Sequence, residues 1–426
     1  MKASVLEEFE WRGLVYDKTE GLGQWLAEEK VSAYIGFDPT ADSLHVGSLL
    51  PIMGLVRLQQ YGHRPIALVG GGTGMIGDPS GKSKERNLLD EEQLAKNVEG
   101  IRNQLAKFLD FETKENPAKL VNNYDWLGKM NFIEFLRDVG KNFTVNYMMA
   151  KESVKRRINS EEGISYTEFT YMMLQAYDFY KLSQSEDCYL QMGGSDQWGN
   201  ITAGIDYIRR QGGKKAHGLV FPLVTNSSGA KFGKSEEGNI WLDPEKTSPY
   251  RFYQFWLNSS DSDVLGYLKN FTMLDQDQIA ELGHRLETDP ASRAAQKRLA
   301  EEITRTVHGQ EELDKVQRAS KVMFGGSVEG LTAADISAII REMPATDLAR
   351  ENFEGEGFWV PELLVSCGVT KSKGEARRLV TSGAVYVNNQ RVADANHKIV
   401  LDQAIDGRFL VLRKGKKNYH LVKILS

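Results

Sequence analysis

The chain has 426 residues, which is too long for one ordinary domain and favours about two to four. With 41% hydrophobic and 26% charged residues and no low-complexity tract, its composition is that of a soluble globular protein. A net charge of −5 argues against a protein whose whole surface binds nucleic acid.

The sequence shows no membrane segment and no cysteine framework. No stretch approaches the ~18 apolar residues that span a membrane. The N-terminal residues alternate charged and apolar side chains, unlike a signal peptide. Cys188 and Cys367 are the only cysteines, which excludes a disulfide framework and a cysteine-based metal site. We therefore expect a cytoplasmic protein.

The N-terminal part predicts a parallel α/β sheet. Residues 31–37 indicate a strand, residues 45–61 an apolar-periodic helix, and residues 65–71 a second strand. Such a βαβ unit implies parallel strands with ligands at their carboxyl ends. The alternation recurs later: a strand at 120–126, a helix at 131–140, a strand at 189–194 and a helix from about Trp198. Residues 112–160 interrupt the rhythm and indicate an insertion.

The C-terminal part has a different texture. From residue 247 the pattern is helical and amphipathic, and residues 325–357 indicate a linker. Residues 358–426 carry 12 Lys/Arg and five Asp/Glu, a charge of +7, which leaves −12 on the rest of the chain. A basic tail on an acidic body indicates a module that meets a polyanion, although a solvated charged surface has the same pattern.

A first signature, residues 39–48 from Pro39 to Ser48, follows the first strand directly after Asp38. A turn that opens a helix presents unpaired backbone N–H groups and the positive end of the helix dipole, which suit a phosphate. His45 adds a side-chain donor, and Gly47 lets a ligand approach the backbone. Taken alone, a histidine near a helix start is also typical of a cap or a packing group.

A second signature, which we call the lysine segment, comprises residues 231–235 with the sequence KFGKS. Its two lysines, Lys231 and Lys234, are three apart and neighbour Gly233 and Ser235. A flexible cationic loop of this kind can close over a triphosphate and later release the product. Taken alone, it is more typical of a solvated surface turn.

Six ordered stretches carry a family resemblance over essentially the whole chain. They are GFDPTADSLHVG, LVGGGTGMIGDPSGKSKER, ISYTEFTYMMLQAYDF, QMGGSDQWGNI, KFGKS and RKGKKNY. Together they resemble class I aminoacyl-tRNA synthetases, and more specifically the bacterial-type tyrosyl-tRNA synthetases. The resemblance implies a tyrosine–tRNA ligase that uses ATP, with L-tyrosine and tRNA(Tyr) as its other substrates.

One further motif points elsewhere and is set aside. Residues 72–77 fit the dinucleotide pattern GxGxxG after a strand. However, Asp78 and Pro79 follow at once, so the run does not enter a helix, and it follows the second strand rather than the first. NAD binding is not expected.

The predicted tyrosine site lies on one helix and one strand. Tyr171, Gln175 and Asp178 are spaced i, i+4 and i+7, so they share a helix face that either meets solvent or lines a polar pocket. The resemblance implies the pocket, with Tyr171, Gln175 and Asp78 on the substrate ammonium. It likewise implies that Tyr34 and Asp178 meet the phenol hydroxyl.

The resemblance also assigns the ATP site. The residues implied to serve the phosphates are Thr40, His45, Lys231 and Lys234, with Lys82 and Arg86 as mobile helpers. Those implied to line the nucleotide are Gly36, Asp38, Gly47, Ser48, Gly193, Asp196, Gln197 and Lys234. Magnesium is expected to arrive with ATP, and no carboxylate cluster suggests a metal cage of its own.

Two positions depart from the class pattern. Ser48 stands where the class usually has histidine, so a large role for this position in the transition state is in doubt. Phe232 and Gly233 replace the commoner Met and Ser of the lysine segment, which keeps both of its cations.

The family pattern predicts five regions and a homodimer. They are a Rossmann-like catalytic domain at 1–220 with the insertion as the main dimer interface, a mobile loop region at 221–246, a helical anticodon-side domain at 247–324, the linker at 325–357, and a small α+β RNA-binding domain at 358–426. The residues implied to contact tRNA are Lys151, Lys155, Arg156, Arg157, Arg413, Lys414, Lys416 and Lys417. A solvated helix face explains the first four equally.

Three other functions remain open on the residues alone. A related nucleotidyltransferase could adenylate a small molecule without tRNA, but it needs neither the helical nor the basic domain. A tryptophan-specific relative is disfavoured by the pairing of Tyr34 with Asp178. An RNA-binding protein on a retired synthetase scaffold would not need its ATP and tyrosine residues.

Overall fold

The computed structural model describes residues 4–80, 90–161, 163–225, 227, 232–235, 238–323, 325, 326, 328, 330–337, 339, 342–415 and 418–425, with only the backbone of 234 and 235. The chain divides into two compact units. The first is Met1–Asp243 with Ser259–Leu299, and the second is Pro244–Asn258 with Ala300–Ser426. Within the described part of the chain, no helix combines the length and the apolar character needed to cross a membrane.

A six-stranded sheet forms the centre of the first unit. Its strands are β1 (Asp17–Lys18), β2 (Ser32–Phe37), β3 (Arg64–Val69), β4 (Lys119–Asn122), β5 (Cys188–Gly194) and β6 (His217–Phe221). Their order is β1-β6-β5-β2-β3-β4. All neighbours run parallel except β1, which is antiparallel to β6. The predicted Rossmann-like parallel sheet is confirmed.

The strand order places the cleft of this sheet beside β2. The chain runs from β2 to β3 and β4 on one side, then returns to β5 and β6 on the other. Strands β3 and β5 are buried along nearly their whole length, as expected for central parallel strands covered on both faces. Ligand sites in such sheets lie outside the carboxyl ends of the strands where the order reverses. Here that point lies between β2 and β5.

Helices cover both faces of the sheet and continue beyond it. Up to residue 288 they are α1 (Val5–Trp11), α2 (Leu22–Glu28), α3 (Leu49–Gln60), α4 (Glu91–Leu105), α5 (Tyr124–Leu127), α6 (Phe132–Glu134), α7 (Val145–Met149), α8 (Glu152–Ile158), α9 (Tyr166–Ser185), α10 (Trp198–Arg210), α11 (Pro249–Leu257), α12 (Asp261–Phe271) and α13 (Gln276–Thr288). Helix α9 starts where the Ser165 side chain accepts a hydrogen bond from Glu168 N, a standard N-cap. It packs against α10 and β5.

Three predicted segments differ in detail from the structure. The helix predicted at 45–61 opens with a 3₁₀ turn, Val46–Ser48, before α3 begins. The helix predicted at 131–140 is broken into α6 and a π-helical turn, Phe135–Val139. The predicted insertion is not wholly separate from the sheet, because it contains the edge strand β4.

The second unit combines helices with a small, mostly antiparallel sheet. Besides α11, its helices are the part of α14 (Ala294–His308) from residue 300 on, α15 (Gln310–Met323), α16 (Ala333–Ser337), α17 (Val360–Ser366) and α18 (Lys373–Thr381). Its strands, after the short β7 (Lys234–Ser235) and β8 (Gly238–Asn239) of the first unit, are β9 (Ala345–Ala349), β10 (Phe358–Trp359), β11 (Val385–Val387), β12 (Gln390–Val392), β13 (Lys398–Ile399), β14 (Phe409–Lys414) and β15 (Asn418–Leu425). The main sheet has the order β12-β11-β14-β15-β9.

The structure differs from the predicted domain boundaries in two places. Strand β9 lies inside the predicted linker, yet it pairs in parallel with β15. Its sequence, ATDLA, is exposed or half-buried throughout, so it carries little of the apolar pattern that marks a strand. The predicted helical domain at 247–324 is divided, because α12 and α13 belong to the first unit.

Candidate active site

A cavity of about 340 Å³ opens at the carboxyl ends of β2 and β5. It brings together most of the residues that the sequence assigns to tyrosine, nucleotide and phosphate binding. These residues are Tyr34, Gly36, Asp38, Thr40, His45, Gly47, Ser48, Asp78, Tyr171, Gln175, Asp178, Gly193, Asp196 and Gln197. Lys82, Arg86 and Lys231 lie outside the described residues, and the side chain of Lys234 does too.

One end of the cavity holds Tyr34 and Asp178, which are 1% and 2% exposed. The Tyr34 hydroxyl has no hydrogen-bond partner among the described residues, although it is buried. Burial raises the pKa of Asp178 to about 7, and it raises that of Tyr34 as well, with the charge of Asp178 adding to the effect. A buried hydroxyl beside a buried carboxyl group is suited to a ligand that carries a hydroxyl of its own.

Two residues that the sequence did not single out orient Asp178. Asn123 Nδ2 donates to one carboxyl oxygen at 2.9 Å, and Trp126 Nε1 donates to the other at 2.6 Å. Both hydrogen bonds favour the charged form and oppose the effect of burial on the pKa of Asp178. Asn123 follows β4 directly. A polar residue at the carboxyl end of a parallel strand is a candidate for a ligand site, so the sequence could have predicted a role for Asn123 on this basis.

A second carboxyl group of the cavity, that of Asp78, accepts hydrogen bonds from two donors. Ser80 N donates to Oδ1 at 2.8 Å, and Gln197 Nε2 donates to Oδ2 at 2.7 Å. Burial, and then the charge of Asp38, raise the pKa of Asp78 to about 6. Nearby, Asn200 Nδ2 donates to Gln175 Oε1 at 3.0 Å and so fixes which end of that amide faces the cavity. This region favours a cationic ligand group, which would stabilise the ionised form of Asp78.

Asp38 lies between these two regions. Its Oδ2 accepts a hydrogen bond from the Tyr171 hydroxyl at 3.0 Å, and its Oδ1 accepts one from Thr73 Oγ1 at 3.0 Å. Tyr171 is predicted to hold an ammonium group, whereas Asp38 is predicted to line the nucleotide. The structure therefore connects the two predicted subsites through one hydrogen bond.

The first signature turns tightly at the cavity wall. His45 Nδ1 accepts a hydrogen bond from Gly47 N at 3.0 Å, as an N-cap does. The imidazole lies so close that a Cβ on Gly47 would approach its Cε1 within 2.6 Å, which explains the glycine. Ser48 lines the cavity, but its side chain makes no capping hydrogen bond to α3.

The lysine segment lies directly against the first signature. Its strand β7 pairs antiparallel with β8, and Ile240 N donates to Gly233 O at 3.1 Å. Ile240 O accepts from Val46 N at 2.9 Å, and Leu242 N donates to Leu44 O at 2.9 Å. Two signatures that are distant in the sequence are thus neighbours in space, as a shared phosphate site requires.

The cavity differs from a metal centre. Among the described residues, no group of three His, Cys, Asp or Glu side chains could hold a metal ion. What its described lining offers instead is the turn of the first signature at the start of α3 and the carboxyl groups of Asp78 and Asp178, whose pKa burial raises. Such carboxyl groups suit a substrate that carries an ammonium group, and Gly233 of the lysine segment lies next to the first signature.

The basic residues predicted near α8 fall into two groups. Lys155 and Arg156 are exposed, and Lys151 lies with its Nζ 4.3 Å from the centre of the Tyr147 ring. Arg157 is buried, and its Nη2 forms an ion pair of 2.7 Å with Glu168. Because it is occupied inside the protein, Arg157 is a structural residue here, and we remove it from the tRNA contacts predicted from the sequence.

The basic residues of the C-terminal tail are also partly engaged. The Arg413 guanidinium lies 3.9 Å from the centre of the Tyr386 ring. Lys414 Nζ donates to Val369 O at 3.3 Å. Lys416 and Lys417 lie outside the described residues. The exposed cations of this unit include Lys371, Lys373, Arg377 and Arg378, on or next to α18.

Known families match almost the whole chain. Residues 26–325 match the family described as tRNA synthetases class I (W and Y). Residues 335–422 match the tyrosine–tRNA ligase SYY-like C-terminal domain.

Individual relatives agree with these matches. The chain is 53% identical over 422 residues to a tyrosine–tRNA ligase of Roseiflexus castenholzii, covering 99% of this chain and 100% of that protein. It is 54% identical over 424 residues to a tyrosine–tRNA ligase of Geobacillus stearothermophilus, covering 98% and 99%. A solved structure of a C-terminally truncated mitochondrial tyrosyl-tRNA synthetase of Aspergillus nidulans aligns with a TM-score of 0.68 at 32% identity, covering 75% of this chain and 94% of that one.

The hydrogen bond from Trp126 to Asp178 can be tested by titration. The substitution Trp126→Phe removes the indole N–H and keeps an aromatic ring. We expect the pKa of Asp178 to rise from about 7. The rise should be roughly one unit, because a donor that favours the charged form is lost. The measurement is the carboxyl ¹³C shift of Asp178 against pH, assigned with the variant Asp178→Asn.

A matched control is Trp25→Phe, which removes an indole donor to the exposed Glu29 and should leave the Asp178 titration unchanged. A midpoint that stays in place or falls in Trp126→Phe would contradict the role of this hydrogen bond.

Proposed function

The chain belongs to the class I tRNA synthetases for tryptophan and tyrosine, and we propose that it is a tyrosine-specific member, a ligase that joins L-tyrosine to tRNA(Tyr). In the first step the tyrosine carboxylate attacks the α-phosphorus of ATP, and tyrosyl-adenylate and pyrophosphate form. In the second step the 3′-terminal adenosine of tRNA takes the tyrosyl group and AMP leaves. The observation that carries the choice of tyrosine is the buried Tyr34 hydroxyl beside Asp178.

A phenol satisfies this pair. Its hydrogen can be donated to a carboxyl oxygen of Asp178, and its oxygen can accept from the Tyr34 hydroxyl. Phenylalanine offers neither, so it would leave buried polar groups unpaired at about 1–3 kcal/mol each. The hydrogen bonds from Asn123 and Trp126 support the assignment, because they hold the carboxyl group in one orientation.

The ammonium of tyrosine is assigned to Asp78, Tyr171 and Gln175. Support comes from Asp78, whose buried carboxyl group has a pKa raised to about 6. An adjacent ammonium lowers that pKa and restores the charge. The Tyr171 hydroxyl donates a hydrogen bond to Asp38. The lone pairs of the Tyr171 oxygen therefore remain available to accept a hydrogen bond from the ammonium.

Activation depends on placement and charge. The nucleophile is a carboxylate that is already ionised, so the reaction needs alignment and stabilisation of the departing phosphates rather than a general base. We assign the phosphates to Thr40, His45, Lys231 and Lys234, with Lys82 and Arg86 as helpers, and the nucleotide to the rest of the cavity wall. Magnesium accompanies ATP, because Mg²⁺ is commonly held by substrate phosphates and water.

The tRNA is assigned to exposed cations of both units. In the first unit these are Lys155 and Arg156 on α8, with Lys151 beside them. In the second unit the exposed cations lie on or next to α18. Arg413, Lys414, Lys416 and Lys417 of the tail stay in the assignment on the sequence pattern alone. Contacts to RNA phosphates release counterions, so the affinity for tRNA should fall as salt rises. We place this activity in the cytoplasm, where both cysteines, which are buried thiols, stay reduced.

The function is tested by amino-acid-dependent exchange between pyrophosphate and ATP, measured with each of the twenty amino acids and followed by tRNA charging. We expect tyrosine to stimulate exchange most strongly and to be transferred to tRNA(Tyr). Stimulation by tryptophan instead would indicate the tryptophan-specific relative. Exchange without charging would indicate a small-molecule nucleotidyltransferase, and no exchange a pure RNA-binding protein.

The specificity of the Tyr34 site gives a second prediction. In Tyr34→Phe the donor to the substrate phenol is lost, while the ring and its packing against Phe179 remain. We expect the ratio of kcat/KM for tyrosine over phenylalanine to fall roughly 10-fold, which corresponds to about 1.4 kcal/mol, the scale of one neutral hydrogen bond. The exposed Tyr16 provides the matched control, Tyr16→Phe. An unchanged ratio in Tyr34→Phe would defeat the assignment.

We also propose that the chain forms a homodimer through the segment predicted as an insertion. Among the described residues, seven of the thirteen exposed large apolar side chains lie within this segment, residues 112–160: Tyr124, Phe132, Ile133, Leu136, Val145, Met149 and Ile158. Concentrated exposed apolar surface is typical of a protein–protein interface. A second copy of the chain is the occupant that the family pattern implies.

The dimer proposal is tested with Ile133→Asp, which places a charge on an apolar side chain that is 68% exposed. We expect a dimer for the unchanged chain and a monomer for the variant, measured by sedimentation at micromolar concentration, since an unpaired charge at an interface is costly to bury. Tyr16→Asp, at 67% exposure outside the segment, should remain a dimer. A dimeric Ile133→Asp variant would exclude this interface.

A further inference from the structure

Phe232 is an apolar, buried residue of the lysine segment. Its side chain is 7% exposed, although its neighbours in the sequence are lysine and glycine. The ring stacks on Phe271 with centroids 5.3 Å apart and planes at 12°, and it lies 5.0 Å from the Tyr267 ring. Tyr267 and Phe271 are spaced i, i+4 on α12, so they present one aromatic face to the segment.

The end of α12 that carries this face is fixed to the catalytic unit. Arg57, a fully buried residue of α3, donates through Nη2 to the carbonyl oxygens of Lys269, Asn270 and Thr272 at 3.1, 3.0 and 2.8 Å. The last carbonyl groups of a helix have no partner within the helix, and these three are among them. A positively charged guanidinium is also stabilised by the negative, C-terminal end of the helix dipole. Because α3 directly follows the first signature, the aromatic face has a defined place relative to it.

The backbone beside Phe232 meets the first signature from the other direction. Gly233 has a φ of +84°, and a Cβ there would come within 2.8 Å of Val46 Cγ2 and 3.4 Å of Gly47 N. Ile240 N donates to Gly233 O, and Val46 N donates to Ile240 O. The segment is therefore held on two sides, by stacking at Phe232 and by close backbone contact at Gly233.

We propose that Phe232 is a positioning residue for activation. Seated against Tyr267 and Phe271, it holds the lysine segment next to the first signature, so that Lys234 is in place when the triphosphate departs. The inference rests on the proposed function, because it takes Lys234 to act on the phosphates. Without the ring, the lysine segment is less ordered before the reaction. The conformational entropy that it loses on becoming ordered then adds to the activation free energy and not to the free energy of tyrosine binding.

The test measures two quantities for Phe232→Ala. One is the rate constant of tyrosyl-adenylate formation at saturating tyrosine and ATP, by rapid quench. The other is the dissociation constant of tyrosine, by equilibrium dialysis. We expect the rate constant to fall roughly 10- to 100-fold, because several loop residues lose their ordering contact, while the tyrosine dissociation constant changes less than twofold. Phe232→Met, which keeps a long apolar side chain, should recover most of the rate.

Coupling to α12 is tested with a double-mutant cycle. Phe271→Leu alone should also slow activation, and adding it to Phe232→Ala should cost much less than the product of the two separate effects, because both remove the same contact. Independent, multiplicative effects would overturn the proposal. So would an equal loss of tyrosine affinity and rate in Phe232→Ala, or a Phe232→Met variant as slow as Phe232→Ala.

Lys234→Ala in the same rate assay separates the two levels of inference. A slow Lys234→Ala with a normal Phe232→Ala would reject the positioning role and leave the proposed function standing. Normal rates in both variants would reject the role of the lysine segment itself. The thermal unfolding temperature of each variant is recorded, and Phe232→Leu replaces Phe232→Ala if the latter does not fold.

Discussion

The reversal of strand order between β2 and β5 is the constraint on which the whole site depends. Parallel neighbours end at the same edge of the sheet, so a reversal leaves a cleft that no crossover helix covers. Into this cleft β2 delivers Asp38 and the first signature, while β5 delivers Gly193 and the turn that carries Gln197. Helix α9 packs against β5 and adds Tyr171, Gln175 and Asp178 to the lining of the cavity. Residues from distant parts of the chain are close in space because the sheet topology places the ends of their strands at the same edge.

Burial shapes the chemistry of this cleft. Asp78 and Asp178 both line the cavity, and burial raises the pKa of both carboxyl groups, to about 6 and about 7. Each of them accepts hydrogen bonds from two protein donors, which favour its charged form. In the proposed function, the substrate ammonium adds to these donors at Asp78, and the phenol hydroxyl adds to them at Asp178.

The sequence predicted the strands that line the site because each of them is apolar and bounded by turn residues. It also predicted the shared face of Tyr171, Gln175 and Asp178, since helical spacing alone defines such a face. Partners that are fixed by tertiary packing could not be predicted. Arg157 forms a buried ion pair with Glu168, but in the sequence it belongs to a basic stretch that is typical of an exposed helix face. The same holds for Phe232, whose place depends on α12 more than 25 residues further on.

The hydrogen bond from Tyr171 to Asp38 bears on how two substrates cooperate. Asp38 accepts from both Tyr171 and Thr73, so its carboxyl group is oriented from the tyrosine side of the cavity. In the proposed function, an ammonium that donates to the Tyr171 oxygen polarises its O–H bond and strengthens the donation to Asp38, because hydrogen bonds in a chain reinforce one another. Asp38, the residue assigned to the nucleotide, would then be more firmly held once the amino acid is bound. By reciprocity, a nucleotide that contacts Asp38 would favour tyrosine binding by the same factor. On these assignments, one hydroxyl between the two proposed subsites couples them without any change of fold.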